Sequence, residues 1–263
     1  AELIDRFGPL PEPTQNLLIV IETKLNCRKA CVAKLDAGPR GALVSFHNDN
    51  FPDLGGLLAY VERLKDSAKL RPDSQLVITA RKEAWQGAAY TSASLTTLGK
   101  FAFTYGKVEI RAKVPTGRGI WPALWTLGSE MPKVNWPKCG EIDIMEYIGL
   151  TPDQVYFNVH TGAFNHVTKT GKGTNIVLKD LWREFHTSGL VWSPRKIEWF
   201  FDGRPVFAFE NDGQGPDHWP FDLPQYLLVN LAAGGSWAGA EGIDDSLFPA
   251  EFRVDYVRSW ERP

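Results

Sequence analysis

Lys107-Val-Glu-Ile-Arg-Ala-Lys-Val114 alternates charged and apolar residues without a break. Successive side chains of a β-strand point to opposite faces, so Lys107, Glu109, Arg111 and Lys113 share one face and the apolar residues take the other. This is the signature of a half-buried strand. Working outward, residues 75–80, 154–161, 196–201, 205–210, 226–231 and 252–260 read as further strands. Asp202-Gly203 stands between two of them, and Asp-Gly favours a two-residue hairpin. Turn residues punctuate the chain at Pro115, Gly128, Gly171, Pro194 and Gly234-Gly235. Many short strands with Gly/Pro turns predict an all-β chain, a β-sandwich jelly roll. No linker, repeat or low-complexity stretch divides residues 1–263, so a single domain is expected. The one helix-like stretch is 55–67, with Leu57, Leu58, Tyr60, Val61 and Leu64 as its apolar set.

Composition narrows the function. An apolar content of 43% supplies a sizeable core, and the formal net charge of −2 argues against a nucleic-acid or anionic-membrane partner. The sequence has no apolar run long enough to span a membrane as a helix. Residues 17–21 are too short for that and lack the flanks of a signal peptide, so a secreted chain would be in its mature form. The 3 cysteines leave at least one thiol unpaired. Cys27 and Cys31 lie close enough in sequence for a disulfide, whereas a tetrahedral metal site would need further Cys or His nearby. Cys139 reads as a small buried hydrophobe rather than a catalytic thiol, since no histidine adjoins it in sequence.

Residues 141–146 read Glu-Ile-Asp-Ile-Met-Glu, three carboxylates inside an apolar strand-like run. An acidic alternating strand is most often the solvated face of a sheet. Yet burying carboxylates is unfavourable, and structure alone rarely calls for three so close together. In a regular strand Glu141 and Asp143 share a face and Glu146 points to the other. One extra residue, a bulge near Ile144 or Met145, returns Glu146 to the face of its neighbours. The row of acids then suits glycoside hydrolysis, in which one carboxylate attacks and a second donates a proton. The flanks agree: Trp121, Trp125 and Trp136 precede the motif in a chain with 10 tryptophans. Flat aromatic rings dominate cores, but they also stack against the apolar faces of sugars.

With Gly140 before it, Glu141-Ile-Asp-Ile-Met-Glu146 resembles the catalytic signature of glycoside hydrolase family sixteen, and the inserted Met145 matches its laminarinase-like members. The resemblance extends through Tyr90-Thr-Ser-Ala-Ser-Leu95, Phe103-Thr-Tyr-Gly-Lys-Val-Glu109, residues 115–128 and Phe185-His-Thr-Ser-Gly-Leu190. It continues through Trp199-Phe-Phe-Asp-Gly203, Asn230-Leu-Ala-Ala-Gly-Gly-Ser-Trp237 and Val254-Asp-Tyr-Val-Arg258. Residues 5–11 resemble the family's opening segment, but Arg6 stands where an acid is usual, Ser94 stands where arginine is usual, and 15–50 matches poorly.

The resemblance implies a jelly roll with a concave substrate cleft and a retaining double displacement on β-1,3-glucan, with no cofactor for catalysis. Glu141 would be the nucleophile, Glu146 the general acid and then base, and Asp143 the group whose charge raises the pKa of Glu146. Four effective strand steps separate the two Glu backbones by roughly 13 Å, a gap that side chains leaning together must close to the ~5–5.5 Å that retention needs. Trp121, Trp125, Trp136 and Trp237 are candidates for sugar stacking. His160 and Asn230 are candidates for contacts with sugar hydroxyls, against their plainer roles as structural hydrogen-bonders. The resemblance also implies a structural calcium at Asp255, although that residue reads equally as a solvated strand position. The expected partner is the polysaccharide, and the expected form is a secreted, extracellular monomer. Two alternatives stay open: a non-catalytic β-glucan-binding protein on the same fold, and a hydrolase of another β-linked polysaccharide such as mixed-linkage glucan or agar.

Overall fold

The computed structural model describes residues 75–260, apart from 86 and 132, together with the strand segments 20–21, 32–38, 41–46 and 68–70. The helix-like stretch 55–67, Arg6, Cys27 and Cys31 lie outside the described residues. The early strands are β1 (Val20–Ile21), β2 (Val32–Gly38), β3 (Gly41–Phe46) and β4 (Ala68–Leu70). Next come β5 (Leu76–Trp85), β6 (Ala88–Thr91), β7 (Ser94–Thr96), β8 (Gly106–Lys113), β9 (Ile120–Gly128), β10 (Glu141–Glu146) and β11 (Gln154–His160). The last are β12 (Lys172–Val177), β13 (His186–Trp192), β14 (Lys196–Phe201), β15 (Arg204–Glu210), β16 (Gln225–Ala233) and β17 (Ala250–Trp260).

They form two antiparallel sheets. One has nine strands in the order β12-β11-β10-β9-β16-β7-β1-β2-β3, the other eight in the order β15-β14-β13-β8-β17-β5-β4, with β6 paired to β5. Sheet neighbours are far apart in sequence, as in β9 beside β16, which is the crossing connectivity of a jelly roll rather than a meander.

The alternating stretch at 107–114 falls on β8, with Val108, Ile110 and Ala112 buried. Across from it Gly189 of β13 is required by space, because a Cβ there would lie 2.5 Å from the Val108 carbonyl. The Asp202-Gly203 hairpin joins β14 to β15, and both residues have positive φ, 47° and 73°, as the favoured hairpin turn demands.

The main core lies between the sheets. It packs Ile120, Leu124, Ile142, Ile144 and Phe157 of the nine-stranded sheet against Val108, Ile110, Leu190, Trp192 and Trp199 of the other. Ile142 and Ile144 are fully buried, and each contributes roughly 1.5–3 kcal/mol through the apolar surface it removes from water. That anchoring holds β10 in place while its opposite face carries acids. A smaller apolar cluster forms around Leu127, Cys139, Tyr226 and Leu228, with Trp125 and Trp136 packed against it.

Candidate active site

The register along β10 shifts after Asp143. Asp143 faces Trp125 of β9, but Met145 faces Leu124 and Glu146 faces Ala123, so Ile144 is an extra residue without a partner on β9. The pairing with β11 shifts over the same interval. This bulge brings Glu146 to the face that already holds Glu141 and Asp143, while Ile142, Ile144 and Met145 stay in the core. From the facing sheet, Trp199 donates its indole N–H to the Asp143 carbonyl oxygen at 2.8 Å and pins the backbone where the bulge begins.

The two Glu side chains are held by different donors. Trp136 Nε1 donates to Glu141 Oε2 at 2.8 Å. Glu146 accepts on both oxygens, from Trp121 Nε1 to Oε1 at 3.2 Å and from Asn158 Nδ2 to Oε2 at 2.9 Å. Between them Asp143 is 2% exposed. His160, opposite Glu141 on β11, places Nε2 3.3 Å from Asp143 Oδ2 and 3.9 Å from Glu141 Oε1.

Burial is the first cause that raises all three carboxyls above their ordinary pKa. Glu141 is pushed well up, next by the charge of Asp143, against pulls from His160 and the Trp136 hydrogen bond. Asp143 is pushed well up, next by the charge of Glu146, against a hydrogen bond with Glu141. Glu146 is raised by burial, while Asn158 and Trp121 pull it down. The lift on Glu146 therefore comes chiefly from desolvation, where the sequence pointed to the charge of Asp143.

Aromatic rings flank both ends. Trp121 meets Trp237 edge-on at 5.5 Å, and Trp237 meets Tyr156 at 4.8 Å, forming a wall beside Glu146. Gly235 has φ 85°, and a Cβ there would come within 3.3 Å of the Trp121 ring. At the other end Trp136 lies 5.8 Å from the His160 ring and 5.2 Å from that of His166. Trp125 stands in the middle and donates Nε1 to Asn230 Oδ1 at 2.7 Å.

The sequence model of Glycosyl hydrolases family 16 matches residues 59–258. The chain belongs to that family. A model of the TRCF domain matches residues 1–57, the stretch in which the acid-motif resemblance fades. A Beta-glucanase of Rhodothermus marinus is 45% identical over 190 residues, covering 70% of this chain and 66% of that protein. A Keratan-sulfate endo-1,4-beta-galactosidase of Sphingobacterium multivorum is 34% identical over 211 residues, covering 79% of this chain and 47% of that protein. The X-ray structure of the laminarinase from Rhodothermus marinus superposes with a TM-score of 0.73 at 42% identity, covering 75% of this chain and 81% of that one.

Within this family 16 chain, all nine residues singled out in and around the acid motif come together on the outer face of the nine-stranded sheet: Glu141, Asp143, Glu146, Trp121, Trp125, Trp136, His160, Asn230 and Trp237. Two roles change. Trp121 and Trp136 are hydrogen-bond donors to carboxylates as well as ring surfaces, and Asn230 uses its oxygen on Trp125, leaving its NH₂ for other partners. Ser94 pairs with Asn230 across β7 and β16, so its departure from arginine lies on the same sheet. Cys139 is 3% exposed and its thiol is pushed up to about 11 by burial and then by the Glu141 charge, which suits an inert hydrophobe.

Asp255 lies elsewhere, on β17 of the second sheet, with Oδ2 2.6 Å from Arg111 Nη1. A guanidinium already supplies the positive charge there, and calcium needs six to eight oxygens. Asp255 is thus engaged with a guanidinium, and no step below involves the calcium that the resemblance implies. Asn158 and Tyr156 were missed. Asn158 stands two positions before His160 on β11 and so shares its face, a signal that the strand period carries.

Proposed function

We propose that the chain is an endo-acting β-1,3-glucanase of the laminarinase type that works by retaining double displacement. The observation that carries this is the bulge at Ile144, which sets Glu141 and Glu146 on one face with separate hydrogen-bond donors and a buried acid between them. Glu141, with one N–H donor, attacks the anomeric carbon. Glu146, whose pKa burial raises, gives its proton to the leaving oxygen. The glycosyl–Glu141 ester then forms, and Glu146, now a carboxylate supported by two N–H donors, takes a proton from water as that water attacks. Trp121, Trp237, Trp125 and Trp136 offer ring surfaces to glucosyl units. The names of the relatives support β-glucan as the substrate.

The binding-protein alternative has no use for two fully dressed acids. The galactosidase relative keeps another polysaccharide class in view. A net charge of −2 gives no support for the basic cleft that a sulfated polymer would favour. A polymeric glucan too large to enter cells supports an extracellular setting. Among the described residues no helix is long and apolar enough to cross a membrane. The pairing of β1 with β7 favours one catalytic unit over two.

The test is reducing-sugar release from laminarin, mixed-linkage glucan, agarose and keratan sulfate, by wild type and Glu141→Ala. Release from laminarin by wild type alone is expected. Binding of laminarin with no release from any polymer would move the assignment to the binding protein.

A further inference from the structure

We propose that Glu141, Asp143 and His160 also form a binding site for a single zinc-like divalent cation, whose occupancy shuts the catalytic face. One ligand atom from each of the three lies within 4.8 Å of the others. In a tetrahedral site with bonds of about 2.0–2.2 Å, ligand atoms sit about 3.3–3.5 Å apart. His160 Nε2 already stands 3.3 Å from Asp143 Oδ2 and 3.9 Å from Glu141 Oε1. The His160–Asp143 contact is thus already at ligand spacing, and the other separations, all within 4.8 Å, close to it by small side-chain shifts.

A second observation points the same way. Asp143 is 2% exposed, and its Oδ2 is buried with no properly directed hydrogen bond. The His160 nitrogen is near enough for an ion pair but misaligned for a hydrogen bond, so this oxygen is directed into the cluster and unsatisfied. A buried acceptor left so is unfavourable, and a cation between the three groups would satisfy it. One imidazole with two carboxylates suits zinc or copper, whereas an all-oxygen set would suit calcium or magnesium. The cation would hold Glu141 away from an anomeric carbon.

The effect on activity rests on the glucanase assignment, but the binding does not, and calorimetry separates the two. Zinc chloride is titrated into the full chain after chelator treatment, with cobalt substitution as a visible-absorbance readout. The expectation is one cation per chain, with laminarin hydrolysis falling in step with occupancy and returning on addition of EDTA. His160→Gln and Glu141→Gln should each weaken binding by at least about tenfold, with unchanged circular dichroism. Cys139→Ala, which removes the nearby buried thiol, should leave binding intact. The proposal fails if no cation binds, if both ligand variants bind as wild type does, or if a filled site leaves hydrolysis untouched. A chain that binds zinc in this pattern but cleaves no glucan would sustain the site and sink the glucanase assignment.

Discussion

Glu141 receives one N–H, from Trp136, and faces His160 and the carboxyl of Asp143. Glu146, at the far side of the bulge, receives two, one on each oxygen, and has an aromatic wall beside it. The same residue type on the same strand is thus given two environments. A group that must be charged from the start needs modest support and a neighbour that can take up a proton. A group that must be protonated first and ionised later needs burial to raise it and donors that favour the ionised form. The contrast teaches that a difference in function between two identical side chains is written in their partners rather than in the motif.

The contrast breaks most sharply under truncation. Glu141→Ala and Glu146→Ala should each lower laminarin hydrolysis by about 10³-fold or more. Azide should then restore cleavage of an activated aryl glucoside with a β-glycosyl azide as product in Glu146→Ala, whereas any azide product of Glu141→Ala should be the α-anomer. The same anomer from both variants would erase the division of roles.

Removing the donors should sharpen it. Each loss should lower kcat/KM about tenfold, as expected for a hydrogen bond to a charged group. It should also move a different limb of the pH profile. Asn158 favours ionised Glu146, so Asn158→Ala raises that pKa, and the basic limb moves to higher pH. Trp136 favours ionised Glu141, so Trp136→Phe moves the acidic limb to higher pH instead. Parallel shifts of both limbs in both variants would contradict the assignment. Gly173→Ala should act on the same end more weakly, since a Cβ there would lie 2.1 Å from Asn158 Oδ1 and would press the amide off Glu146.

The smallest effect is on stability. The folded-state pKa of Glu141 is raised, so this carboxyl's favourable contribution is fully present below its unfolded pKa and is lost as pH rises through the folded value. Toward neutral pH this carboxyl therefore adds less to stability than it does in acid. Glu141→Gln should raise Tm near pH 7 by a few degrees, on the order of 1 kcal/mol, and should give no gain near pH 3. Calorimetric scans at the two pH values check this.

Much of this was legible in the chain. The alternation at 107–114 and the Asp-Gly turn marked β8 and the β14–β15 hairpin within a residue of their observed ends. The extra residue in the acid motif was readable as a bulge because three acids on opposite faces would make no sense. The strand β9, with Pro122 inside it and apolar residues on both faces, shows no alternation and was not read as a strand. Gly189 similarly disguised β13. Trp199 pins the bulge from the other sheet, and Asn158 reaches Glu146 across a neighbouring strand. Such contacts depend on which strands become neighbours, which local pattern does not encode. Asp255 enters through the family resemblance alone, and its pairing with Arg111, 2.6 Å away, joins residues remote in sequence.

The central claim is that Glu141 and Glu146 act in turn on the same face of one bulged strand, with a covalent intermediate between. Proton NMR during the first minutes of cleavage of a laminarin oligosaccharide tests it most directly. The β-anomer of the new reducing end should appear first, with the α-anomer growing only as mutarotation proceeds. An α-anomer formed first would mean direct displacement by water and would contradict the account.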